Sequence, residues 1–312
     1  MDKIKEWLSQ TEYKNYEITI ASADASFRQY FRLSDGEKSF LLMDSSLEKD
    51  SLKPFIDVTS RLLDVGVKAP HILEKNLEDG FLVIEDFGNT HYLNVLNAEN
   101  YKSFYSRAID SIVDMQKADT KNLPLYDKEF LHFEMDLMQT WYLEKLLDIT
   151  LSEKQKQIIE KALDSISTCI LTQPQNIFVH RDFHSRNIMI TKGDEVGVID
   201  YQDAMSGAIT YDLVSLLKDC YIAYEREEIL KLVLEFRDKK GLSVSDEEFI
   251  KWFDFMGMQR HIKVLGIFSR LYLRDSKDGY LKDIPLTLKY LLDTSLLYDE
   301  TKELSKLFKD II

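Results

Sequence analysis

The sequence predicts an α+β protein built as a small strand-rich lobe followed by a large helical lobe. Three observations carry that expectation. β-Branched and aromatic runs crowd the chain up to Glu85. Apolar residues at three- and four-residue spacing dominate almost everything after Gly88. One compact acidic stretch, residues 176–203, interrupts the helical part.

Taken in order, Met1–Leu8 alternates charge and hydrophobe like an amphipathic helix and lacks the apolar core of a secretory signal. Tyr16–Ser22, Ser26–Leu33 and Ser39–Asp44 read as strands, broken by Ser-Ala-Asp and Ser-Asp-Gly turns. Pro54–Val65 places Phe55, Val58, Leu62 and Leu63 at helical spacing and stops at Gly66. His71–Leu77 and Phe81–Glu85 are two further strands around Glu78-Asp79-Gly80. Asp86-Phe87-Gly88 then reads as a hinge, so domains are expected over 1–88 and 89–312. Helices are expected over Tyr101–Lys117, Glu129–Asp148, Ser152–Leu171, Asp212–Tyr224, Glu227–Lys239, Asp246–Tyr272 and about Pro285–Phe308. No internal repeat or low-complexity linker is visible.

Composition narrows the class. The chain has 312 residues, 45% hydrophobic and 30% charged, which suits a soluble globular protein with a large core or two lobes. Its formal charge of −14 argues against nucleic-acid binding but leaves room for a local positive cleft. No run approaches a membrane span. Cys169 and Cys220 sit far apart in helical patterns, which points to reduced thiols and a cytoplasmic setting. A monomer fits this surface.

Chemistry concentrates in His180-Arg181-Asp182-Phe183-His184-Ser185-Arg186-Asn187 and, after a short apolar run, Ile199-Asp200-Tyr201-Gln202-Asp203. Phosphoryl transfer needs a carboxylate beside the attacking hydroxyl and hard oxygen ligands for Mg²⁺. An H-x-D-x-x-x-x-N loop offers Asp182 for the first task and Asn187 for the second. Val196-Gly197-Val198-Ile199 reads as a buried strand delivering Asp200 at its end. Asp182 as a turn-capping carboxylate is the plain alternative, but its spacing to Asn187 and Asp200 favours catalysis. Asp203 reads equally as a metal or substrate contact and as a solvated loop acid. His184 and Arg186, inside the loop, suit substrate or phosphate, and Arg186 can equally pair with a loop acid. His180 reads as a packing post and Asp212 as a helix-start cap.

These residues, with Ser22–Arg32, Leu42-Met43-Asp44, Gln259–Leu271 and Lys277–Asp283, give the chain its resemblance. It resembles the aminoglycoside phosphotransferase branch of the protein-kinase-like fold, over nearly its whole length. Within that branch it is similar to the anomeric kinases of N-acetylmuramate and N-acetylglucosamine that act in cell-wall sugar recycling. The resemblance implies a small antiparallel-sheet N-lobe, a large helical C-lobe, ATP and Mg²⁺ as cofactors, and a small sugar as acceptor. It also implies that Asp212 braces the catalytic loop and that adenine lies at the hinge against backbone groups of Glu85 to Phe87. Phe87 reads equally as core.

Two departures from the protein-kinase pattern stand out. There is no G-x-G-x-x-G; the first turn is Ser22-Ala23-Asp24-Ala25-Ser26, with an acid where phosphates should lie. Met43 stands where a phosphate-binding lysine is expected, and the following helix offers only Asp57 and Arg61 where its glutamate partner would be. Arg28 and Arg32, on the neighbouring strand, are the candidate replacements, with a solvated strand face as the plain alternative. Further on, Arg260, Lys263, Arg270 and Arg274 recur at helical spacing. They read either as a basic solvent face or as a pocket wall where arginine meets an anionic lactyl carboxylate. Gln259, Tyr280 and Lys282 are candidate sugar contacts, whereas Trp141, Tyr142 and Trp252 read as core.

The expectation is therefore an ATP- and Mg²⁺-dependent kinase acting on a sugar hydroxyl. The alternatives are an aminoglycoside or other small-alcohol phosphotransferase, and, because the strand lysine is missing, a nucleotide-binding pseudokinase regulator.

Overall fold

A computed structural model describes residues 1–22 and 28–312. The turn expected at Ser22–Ser26, Asp24 included, falls outside the described residues from position 23 on. The chain divides into two compact units, one of residues 1–95 and 186–203, the other of residues 96–185 and 204–312.

The first unit is built on an antiparallel sheet of β1 (Glu17–Ser22), β2 (Gln29–Ser34), β3 (Ser39–Asp44), β4 (Ile72–Asn76) and β5 (Phe81–Glu85), in the order β1-β2-β3-β5-β4. Alternation sorts its side chains onto two faces. Leu33, Leu42, Phe81 and Val83 pack with Ile4 and Leu8 of α1 (Asp2–Leu8) and with Tyr13. Leu41, Met43 and Ile84 take the other face. Helix α2 (Leu52–Asp64) follows β3, buries Phe55, Val58, Thr59 and Leu62, and ends before Gly66, whose φ of 80° suits a residue without a Cβ.

The division expected at residue 88 is drawn differently. The hairpin of β7 (Ile188–Ile190) and β8 (Val196–Val198) belongs to the first unit because backbone bonds hold it there. Ile190 N–H donates to Thr90 O and Val198 N–H to Lys68 O, both at 2.8 Å. Short helix α3 (Tyr92–Val95), which the sequence pattern did not mark, closes this unit.

The second unit is mainly helical: α4 (Tyr101–Met115), α5 (Lys128–Leu137), α6 (Glu153–Leu171), α7 (Tyr211–Leu217), α8 (Arg226–Lys239), α9 (Asp246–Asp275), α10 (Ile284–Ser295) and α11 (Lys302–Ile311). A two-strand ladder of β6 (Ile177–Val179) and β9 (Met205–Gly207) accompanies them. Ser152 and Gln155 form a capping box at the start of α6, as that sequence favours. Three helical expectations change. Glu129–Asp148 splits, because Met138–Leu146 is a π-helix continuing from α5. A Cβ on Gly266 of α9 would lie 2.4 Å from the Leu137 carbonyl carbon, so α9 packs at that junction only through glycine. Asp212–Tyr224 ends early at Leu217; just beyond it, Asp219 accepts the Ser185 and Tyr221 N–H groups. Pro285–Phe308 is two helices rather than one. Among the described residues, no helix is long and apolar enough to cross a membrane.

Candidate active site

In the first unit a cavity of about 210 Å³ opens against the sheet. Leu41, Ile84, Phe55, Pro70, Met189 and Ile199 give it apolar walls, and Asn187 and Asp200 line it together. This is the composition a purine and its phosphates require, an apolar slot with a few placed polar groups. Asn187 Nδ2 donates to Asp200 Oδ2 at 3.2 Å, and Ile199 N–H donates to Asn187 O at 3.1 Å, so one backbone bond sets the spacing of the two side chains. Asp200 is exposed and has a φ of 65°, an uncommon conformation that turns it out of the strand. Gln202 Nε2 holds its second oxygen at 3.0 Å. Among the described residues no three His, Cys, Asp or Glu side chains gather as a metal cage. An amide and a carboxylate are nevertheless the sparse oxygen set that Mg²⁺ takes when phosphates fill its remaining positions. Asp203 is exposed beside the same glutamine, 3.3 Å from Gln202 Nε2.

Tyr201 follows Asp200 into the interior. It is fully buried, stacks on Phe55 at 5.2 Å and shares a 2.8 Å hydrogen bond with Thr59 of α2. Burial, the largest influence, pushes its hydroxyl above the usual tyrosine range. Where the resemblance predicts a tie from this helix to a strand lysine, the chain ties it instead to Tyr201, the residue after Asp200. Met43 is wholly buried.

The two candidate cations differ. Arg28 is buried and donates to Ser51 Oγ, at the start of α2, at 3.3 Å. Arg32 lines the cavity but is already engaged. Its Nε and Nη2 meet Asp86 at 2.7 and 3.2 Å, and Nη2 also meets Asn89 Oδ1 at 2.8 Å. Asp86 accepts from Gly88 N–H as well, and these donors hold its carboxyl below the ordinary value despite burial, which acts the other way. The hinge is thus braced by the arginine expected to hold phosphate. Glu85 lines the cavity, but its N–H donates to His71 O at 2.9 Å. Phe87 lines the cavity and also packs tightly on β8, since a Cβ on Gly197 would fall 2.7 Å from its ring. Arg186 gives its carbonyl to His91 Nδ1 at 2.7 Å.

Asp182 belongs to the second unit, on the loop after β6. Its side chain keeps 42% exposure, although the loop beneath it is pinned on several sides. Asp212 accepts His180 N–H at 2.8 Å and Arg181 N–H at 3.0 Å, the bracing role expected of it. His180 is buried and its Nδ1 accepts Asp182 N–H at 3.2 Å, a post rather than a base. Arg181 sits at a φ of 77°, and Arg260 Nη1 donates to its carbonyl at 3.1 Å. The same Nη1 lies 3.9 Å from Asp182 Oδ1. Burial alone would raise the Asp182 carboxyl, but the charges of Lys263, Arg260, His184 and Arg181 overcome it and bring it to about 2. Asp182 is therefore an ionised acceptor at any physiological pH. His184 is buried edge-on to Tyr221 at 5.3 Å, and Ser185 bonds Asp219 through both N–H and hydroxyl.

The basic stripe on α9 is not a solvent face where it counts. Arg260 and Lys263 are buried; Arg270 is half-buried and Arg274 pairs with Asp275 in solvent. Lys263 Nζ meets Glu134 Oε1 at 3.0 Å and Tyr211 Oη at 3.0 Å. Gln259 bonds Tyr126 and Glu134, so it too faces inward. Sequence reasoning missed Glu134, Asp219, Tyr201 and Asp86. For Glu134 the faint signal was its place at helical spacing among Leu131, Met135 and Met138.

The sequence profile described as the phosphotransferase enzyme family matches residues 17–240. The N-acetylmuramate/N-acetylglucosamine kinase of Neisseria meningitidis serogroup B is 41% identical, covering 99% of this chain and 95% of its own. The enzyme of the same name from Pseudomonas aeruginosa is 36% identical, with 95% and 88% covered. Among solved structures, ADP-bound aminoglycoside phosphotransferase APH(2'')-Ib overlays with a TM-score of 0.64 at 15% identity, over 94% of this chain and 98% of that one. The choline kinase LicA from Streptococcus pneumoniae gives 0.65 at 13%, over 94% and 98%. At such identities the overlays speak for the fold, a small antiparallel-sheet lobe and a helical lobe.

Proposed function

The chain belongs to the phosphotransferase enzyme family, and on that premise we propose that it is an ATP-dependent kinase that phosphorylates the anomeric hydroxyl of N-acetylmuramate and N-acetylglucosamine. The acceptor class follows the name its relatives carry at 34–41% identity over nearly the full chain. The nucleotide half of the reading rests on one observation, the Asn187–Asp200 oxygen pair lining the same cavity as Leu41, Phe55 and Ile84.

In this reading adenine occupies the apolar slot. The Glu85 N–H is taken by His71, so Glu85 offers only its carbonyl and Phe87 supplies the donor. Asn187 and Asp200 would hold Mg²⁺, which supplies charge neutralisation on the phosphates. Arg32 reaches the phosphates from its Asp86 and Asn89 anchor, and Arg28 holds the start of α2. Asp182 aims the acceptor oxygen and receives its proton as that oxygen bonds to the γ-phosphorus and the bond from that phosphorus to the departing ADP breaks. A carboxylate held near 2 is a weak base, which suits a hemiacetal hydroxyl, more acidic than an ordinary alcohol. Orientation then contributes more than proton abstraction. Arg260, His184, Arg186 and Asp203 are the remaining candidates for the acceptor side.

ATP consumption with Mg²⁺ across a panel of amino sugars tests the reaction, and phosphorus NMR of the product distinguishes an anomeric phosphate from one on a primary hydroxyl. Asp182→Ala is expected to keep nucleotide binding and lose at least ~10³-fold in turnover. Turnover of aminoglycosides alone, or ATP binding without any turnover, would replace this reading.

A further inference from the structure

Arg181 immediately precedes the proposed base and has a left-handed backbone, a strained conformation for a non-glycine residue that persists only when its surroundings impose it. Asp212 takes its N–H and Arg260 its carbonyl. Its side chain reaches Glu134 on α5, with Nη2 2.5 Å from Oε1. Glu134 is 4% exposed, and both of its carboxylate oxygens are engaged. Lys263 of α9 lies 3.0 Å from the same oxygen, Tyr126 donates to the other oxygen, and Gln259 Nε2 stands 3.3 Å from it. Tyr211, at the start of α7, accepts from Lys263. Burial opposes the charge on Glu134, yet Lys263 and Arg181 hold its carboxyl below the ordinary value. A fully hydrogen-bonded buried acid between two cations is an expensive arrangement to keep if packing were its only purpose.

We propose that Glu134 is a positioning residue for Asp182, acting through Arg181, with Lys263 as its second cation. The arrangement fixes the left-handed turn that presents the Asp182 carboxylate. A second consequence concerns the acceptor. The ammonium of Lys263 is engaged by Glu134 and Tyr211, so Lys263 does not read an acidic arm on the sugar. An N-acetylated hexosamine with such an arm and one without it should respond alike when this cluster is altered.

The inference rests on the sugar-kinase reading for its assay. Wild-type protein that phosphorylates neither sugar sinks that reading; wild-type activity with unaltered variants sinks this one. For Glu134→Gln and Lys263→Met, kcat is expected to fall about 10–100-fold on both sugars, with the KM for ATP unchanged. Glu134→Asp, which keeps the charge, should recover part of the loss, and it carries the same test if the glutamine variant does not accumulate. Full kcat in Glu134→Asp and Glu134→Gln overturns the proposal. So does a loss confined to the KM of the acidic sugar in Lys263→Met, since Lys263 would then be reading the substrate.

Discussion

Asp212→Asn separates what the catalytic loop needs from what the fold needs. The carboxylate is 1% exposed and receives two backbone N–H groups, at 2.8 and 3.0 Å. Asparagine presents one oxygen to two donors, so one buried N–H loses its partner at a cost of about 1–3 kcal/mol. Against this stands the cost of ionising Asp212. Burial outweighs the neighbouring His180 charge and the two N–H groups, and raises its carboxyl from 3.8 to about 6. That gap corresponds to ~3 kcal/mol. The sign follows directly. Between pH 4 and 6 the folded protein keeps this proton while the unfolded chain has released it, so the Asp212 contribution makes wild-type stability fall as pH rises. Asparagine has no proton to release. Near neutral pH the two effects nearly cancel, and the variant should lie within ~2 kcal/mol of wild type. At pH 4, where Asp212 already carries its proton, the variant should be the less stable by about 1–3 kcal/mol. The stability difference between variant and wild type should therefore shift by ~3 kcal/mol in favour of the variant from pH 4 to 7. Urea unfolding of both proteins at pH 4, 5, 6 and 7 measures it. Turnover should fall ~10²-fold at every pH, because the loop has lost a tether. Parallel stability curves across pH 4–6 would refute the raised carboxyl, and full turnover would refute the bracing role.

Three further outcomes follow from the packing. Gly266→Ala sets a methyl 2.4 Å from the Leu137 carbonyl carbon, so α9 and the π-helix must part; a loss of ~2 kcal/mol or more is expected, and an unchanged Tm would mean the junction is looser than described. Arg32→Met leaves the buried Asp86 carboxylate with only the neutral Gly88 N–H and Ser39 hydroxyl as described partners, so ATP KM should rise and the hinge should weaken by about 1–3 kcal/mol; an unaltered ATP KM would move the phosphate role to Arg28. Tyr201→Phe removes one hydroxyl from the α2 link while Thr59 keeps its bond to Phe55 O, so stability should drop by ~1 kcal/mol or less. If Tyr201 also steadies Asp200, the Mg²⁺ concentration needed for half-maximal rate rises; an identical Mg²⁺ titration would confine the pair to packing.

The pairing of Asn187 with Asp200 was legible because the two lie in one stretch, where covalent spacing alone limits what they can do together. The strands were legible for a similar reason, since β-branched and aromatic runs bounded by turn residues mark them without reference to distant residues. Glu134 was not. It lies 47 residues before Arg181, and apart from its apolar helical neighbours nothing local separates it from the solvated acids Glu129 and Asp136. The α9 stripe shows the same limit from the other side. Spacing put Arg260 and Lys263 on one face, but only the packing of α5 and α7 shows that this face looks inward. The π-helix left no trace in a three-to-four spacing that an α-helix satisfies equally, and its partner Gly266 reads in sequence as an ordinary weak point in a helix.

The β7–β8 hairpin folds with the amino-terminal residues although the chain on both sides of it belongs elsewhere. A fragment ending after Val95 would therefore discard Asn187 and Asp200 while exposing backbone of Lys68 and Thr90 that the hairpin now covers. Dissecting this molecule into independently expressed pieces requires splicing residues 186–203 back onto the first piece.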